Sequence, residues 1–158
     1  MNQTEVYEGR RAVRGTAGLR PNAFAAVVML LVEFGLGIWV NLYAEIPAAD
    51  HGRGIFAAFG AAVAHGPVAL ALHALLGTLL LVAAVTLVVR AAVARQRATL
   101  AIGLVALLAI LTAWLSGARF TGGGSSGASF SMAIATAVAL LSYALILFVP
   151  GLTAGRSR

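Results

Sequence analysis

The chain lacks cysteine and lysine altogether, and its 158 residues include only five carboxylates and three histidines. Without a thiol there can be no disulfide, thiolate metal site, iron–sulfur cluster or cysteine nucleophile. Charged residues make up 10% of the sequence, where a soluble domain carries roughly a quarter. Enzyme signatures are missing as well: there is no nucleophile elbow, phosphate-binding loop, dinucleotide fingerprint or HExxH motif, so catalysis is not expected. The run TGGGSSG at 121–127 has the composition of a phosphate cradle but neither its lysine nor a preceding strand, and it reads as a flexible spacer.

What remains is apolar. Hydrophobic residues reach 61% and mean hydropathy is +0.96. Such a chain cannot cover itself with polar surface in water, so lipid must be most of its solvent. Four runs are long enough to cross a bilayer, at about 22–43, 67–89, 99–117 and 129–149, since about 20 helical residues span the hydrocarbon. The expected fold is therefore all-α, a multi-pass, integral membrane four-helix bundle running up-down-up-down. Residues 22–150 form its single transmembrane domain, between an Arg-rich, largely disordered tail at 1–21 and a short tail at 151–158. The segment 55–64 is apolar but too short to cross. It is expected to be an interfacial or re-entrant helix with Phe56 and Phe59 in lipid, or else an extension of the second span.

All eleven basic residues are arginine, and they gather at the ends of the apolar runs. That pattern marks topology rather than nucleic-acid binding. Nine lie in the two tails and the loop between spans two and three, while only Arg53 and Arg119 lie in the opposite loops. Positive charge stays inside, which places both termini in the cytoplasm and the protein in the cell (inner) membrane. The wealth of Ala, Arg, Gly and Val without Lys suggests a GC-rich bacterial genome. Membrane helices associate through close packing of small residues, and each span offers a stripe expected to face inward: Glu33, Gly37 and Asn41; Gly66, His73, Gly77 and Ala84; Gly103, Ala106, Ile110, Ala113 and Gly117; Ser129, Met132, Thr136, Ala139 and Tyr143.

Glu33 falls near the middle of the first span, where a carboxyl costs several kcal/mol unless it is neutral, paired or wet. With Asn41 on the same stripe it is the candidate for an ion or proton relay. The competing reading is a neutral side chain that hydrogen-bonds between helices, and no second ionisable residue is expected at its depth. His73 lies only a few ångström shallower by rise counting. The spacing His73-x-x-x-Gly77 sets a bare surface one turn from an imidazole, as a porphyrin lying against a helix requires.

The segment HALLGTLL, residues 73–80, resembles the His-x3-Gly segments of small bacterial membrane proteins similar to b-type cytochromes. The resemblance covers eight residues and implies haem b with His73 as axial ligand and Gly77 beneath the ring. The candidates for the second ligand are Met132, or else His65 or His51 if the 55–66 segment folds back at Gly66-Pro67. No metal site beyond this is expected.

Three functions follow from these residues. The first is an accessory or structural subunit of a larger membrane complex or a homo-oligomer. The second is a haem- or quinone-associated electron-transfer protein using His73, and the third is a proton-coupled small transporter using Glu33.

Overall fold

The computed structural model describes residues 19–44, 54–123 and 126–148. Residues 1–18 of the N-terminal tail, His51, Arg53, the tip of the 121–127 spacer and the tail at 151–158 lie outside these residues. Five helices follow in order: α1 (Leu19–Tyr43), α2 (Ile55–His65), α3 (Val68–Val93), α4 (Arg97–Gly123) and α5 (Ser126–Phe148), with no strand among the described residues. All but α2 are long and apolar enough to cross a membrane. The protein is a small multi-pass membrane protein built as an all-α four-helix bundle.

Each long helix packs against two others, α1 on α3 and α5, and α4 on α3 and α5. This closed ring is what short connections between antiparallel helices give. The inward faces are small or branched. Ala23, Ala26, Leu30, Leu80, Ala84, Leu87, Ala106, Ile110, Ala139 and Ile146 form one core in the half of the bundle where α1 begins. Lipid tails are as apolar as leucine, so packing between close backbones, rather than exclusion from water, holds such helices together. Large side chains point the other way: Leu31, Leu42, Leu72, Leu79, Leu108 and Leu141 are all exposed. In water that surface would aggregate; in a bilayer it is the solvated one.

The helices run further than the apolar runs. Starting at Leu19, α1 takes in Arg20 and Pro21, whose missing N–H falls in the first turn where no partner is needed. The Arg20 guanidinium donates to the Leu147 carbonyl at 2.9 Å, joining the start of α1 to the last turn of α5. At the opposite end α4 continues through Thr121, which is buried and donates to the Ala118 carbonyl. Most of the expected 121–127 spacer is thus helix, because this turn packs inside the bundle.

The short segment is neither a continuation of the second span nor a helix with both phenylalanines in lipid. Gly66 and Pro67 are extended (φ −73°, ψ 168° and φ −54°, ψ 145°), which separates α2 from α3. A Cβ at Gly66 would lie 2.5 Å from the Ala62 carbonyl oxygen, so the break falls where a side chain has no room. Phe56 is exposed, but Phe59 turns inward and meets the Trp114 ring at 5.5 Å between centroids. With Ala62 packed against Val40 and Leu70, α2 covers one end of the bundle.

Candidate functional site

Glu33 and His73 come from the middle of α1 and the first third of α3, which run antiparallel. Their spacings are reciprocal: Glu33-x-x-x-Gly37 on one helix faces His73-x-x-x-Gly77 on the other. A Cβ added to Gly37 would lie 3.2 Å from His73 Cε1, and one added to Gly77 would lie 2.9 Å from Glu33 Oε1. Each glycine therefore makes room for the ionisable side chain of the facing helix. The expectation that no ionisable partner lies at the depth of Glu33 is corrected here. His73 Nδ1 is 3.1 Å from Glu33 Oε1, because side-chain reach and two missing Cβ atoms close the few ångström of axial offset.

The contact is at ion-pair distance but off the line that a hydrogen bond requires. Glu33 Oε2 and His73 Nδ1 are both buried and have no hydrogen-bond partner among the described residues. Such groups are uncommon in folded proteins and require a physical reason. They lie beside a cavity of about 310 Å³ in the half of the bundle covered by α2. Its walls combine the pair with Gly37, Gly77, Phe59, Trp114, Met132 and Thr136.

Several contacts hold these walls. Trp114 Nε1 donates to Thr78 Oγ1 at 3.2 Å, and that hydroxyl donates to the Ala74 carbonyl at 2.9 Å. The indole is thereby fixed against both α3 and Phe59. Ser129 Oγ donates to Asn41 Oδ1 at 3.1 Å, tying α5 to α1 at the end near Tyr43. Ser116 and Ser131 join α4 to α5 at 3.1 Å.

Of the residues singled out in the sequence, Glu33, Asn41, His73, Gly77 and Met132 all line the cavity. His65 does not: it is exposed at the end of α2 and is not part of the wall. The bare face of Gly77 looks onto the Glu33 carboxyl rather than onto an open slot. Asn41 is exposed and Gly66 precedes α3, so neither belongs to a buried stripe, whereas Ala84, Ala106, Ile110, Thr136, Ala139 and Tyr143 do. Phe59, Trp114 and Thr78 were missed as site residues. The readable signal was the matched four-residue spacing on two antiparallel spans, which sets each ionisable group opposite a glycine. Among the described residues no group of three or more His, Asp or Glu is placed to hold a metal ion.

No protein-family model, curated protein or solved structure matches this chain.

Proposed function

We propose that the protein binds a small, mostly apolar molecule within the bilayer, with Glu33 and His73 recognising its polar head. The observation that carries this reading is the pair, 3.1 Å apart, on the wall of a cavity of about 310 Å³. Binding pockets begin at about 300 Å³ and are mostly apolar with a few convergent polar groups. An inert accessory bundle has no need of such a pair. Replacing a buried ion pair by packed apolar side chains is often neutral or stabilising, by about 1–4 kcal/mol. Two ionisable groups beside a void therefore favour a working site over a purely structural subunit.

The relay and haem readings draw less support. From Glu33 toward the start of α1, the interior closes on Leu30, Leu80, Ala84 and Ile110, an apolar layer between the pair and that end of the bundle. A porphyrin would need the face of Gly77 that the Glu33 carboxyl covers, and the residues do not fit it there. Orientation follows from charge: Arg20, Arg90, Arg95 and Arg97 share one end of the bundle and Arg119 lies at the other. The arginine-bearing end belongs in the cytoplasm of a bacterial inner membrane, which puts the cavity in the outer half.

Trp39 and Trp114 are the chain's two tryptophans, so Trp39→Phe leaves the cavity indole as sole reporter. In that background a benzoquinone ring, neutral and a quencher of indoles, should quench Trp114 saturably. Glu33→Leu and His73→Leu should each weaken binding at least tenfold, or ~1.4 kcal/mol. Quenching that rises linearly and ignores both replacements would remove the reading.

A further inference from the structure

We infer that the ligand enters sideways from the lipid, between α1 and α5, and is a tailed lipid with a neutral ring head, the quinone–quinol class. The inference rests on the binding reading above and extends it to route and ligand class. Phe34, Ile38 and Asn41 follow one another at i, i+4 and i+7 on α1, and Ser129 and Ala133 at i and i+4 on α5. The Asn41–Ser129 hydrogen bond shows that these two faces meet. Within this seam lie cavity-wall residues that are also exposed on the outside of the bundle: Phe34 at 44%, Ile38 at 46%, and Ala133. Residues that border both the cavity and the outer surface form the thinnest part of the wall, and we take this as the opening.

The seam is clasped on both sides of this opening, by Asn41–Ser129 toward one end and by Arg20 on the Leu147 carbonyl toward the other. Depth identifies what lies outside it. Trp39 and Tyr43, their rings tilted at 49° with centroids 4.9 Å apart, sit at the end of α1 where amphipathic rings meet headgroups. Phe34 is nine residues before Tyr43, about 14 Å deeper at 1.5 Å per residue. The opening therefore faces acyl chains and not water.

The shape of the site sets the ligand class. At about 310 Å³ the cavity is near the lower limit for a ligand pocket, sized for one ring with small substituents, so a long tail must lie in the seam and the lipid beyond. Phe59 and Trp114, 5.5 Å apart, offer flat apolar walls to a ring. In either net-neutral state, imidazolium–carboxylate or imidazole–carboxylic acid, the Glu33–His73 pair presents both a donor and an acceptor. A carbonyl and a phenolic hydroxyl are each served by such a pair, whereas a charged headgroup meets no net countercharge.

The test uses the wild-type protein in lipid nanodiscs and a benzoquinone whose alkyl tail carries a diazirine near the ring. After illumination, labelled peptides are mapped by mass spectrometry, with and without excess tail-less benzoquinone. The expected result is label on the α1 and α5 peptides that contain Phe34, Ile38 and Ala133, reduced at least tenfold by the competitor. Competable label confined to α2 or to the α3–α4 seam, and absent from α1 and α5, would overturn the lateral route while leaving the pocket standing. Label that the competitor does not reduce anywhere would overturn the route together with the binding reading beneath it.

Discussion

At the scale of single residues, the site depends on the absence of two Cβ atoms. Gly77→Ala sets a methyl 2.9 Å from Glu33 Oε1, and the atom it meets is the end of a flexible side chain. The carboxyl should swing away at little cost in stability, breaking its contact with His73. We therefore expect Gly77→Ala to lose most ligand binding while unfolding close to wild type. Gly35→Ala on α1, where a Cβ meets nothing within 4 Å, should keep binding and gain up to about 1 kcal/mol from helix propensity. Equal effects of the two in a quenching titration and a denaturation curve would contradict the reciprocal packing. Tyr143 gives a second test, because its hydroxyl is buried with no hydrogen-bond partner among the described residues. Burying an unsatisfied polar group costs about 1–3 kcal/mol, so Tyr143→Phe should be neutral or stabilising in the same denaturation assay. A clear loss of stability would show that the hydroxyl has a partner.

Helices and their ends obey different constraints. The turn after α3 has the bonding of a Schellman motif: Arg95 N–H donates to the Ala92 carbonyl and Gln96 N–H to that of Ala91, both at 3.0 Å. Glycine is usual at the left-handed position of such a cap, yet here it is Arg95, at φ 54°. Arg95→Gly should be more stable than Arg95→Ala by about 1 kcal/mol, since both lose the charge but only glycine relieves the strain. Equal midpoints in chemical denaturation would contradict that. Existence and number of the spans were legible in the sequence because an apolar run of membrane length is stable in little besides a bilayer. Their ends were less so. The apolar pattern stops at Gly117, but α4 continues to Gly123 because its last turns pack inside the bundle, as buried Ala118 and Thr121 show. The inward turn of Phe59 was likewise invisible, because it depends on where Trp114 stands on another helix.

On the scale of the whole molecule, orientation is the first thing to measure. The chain has no cysteine, so single cysteines report location without background. At exposed Ala98 and Gly127, at opposite ends of the bundle, a membrane-impermeant maleimide should reach position 127 from outside the cell and position 98 only after permeabilisation. The reverse pattern would invert the topology and place the cavity in the inner half. Composition alone identified lipid as the solvent, and the exposed leucines agree with it. The sequence also marked Glu33 and His73 as unusual but left them as separate candidates with separate functions. Their meeting depends on the register of α1 against α3, which no one-dimensional pattern states outright. That register makes one site of two suspicions, and a double-mutant cycle tests it most directly. Glu33→Gln, His73→Gln and the double variant would be compared in stability and in benzoquinone affinity. Residues in direct contact couple by about 0.5–3 kcal/mol, whereas independent positions add within about 0.3–0.5 kcal/mol. The pairing predicts a double variant that loses clearly less than the sum of the single losses; strict additivity in both measurements would contradict it.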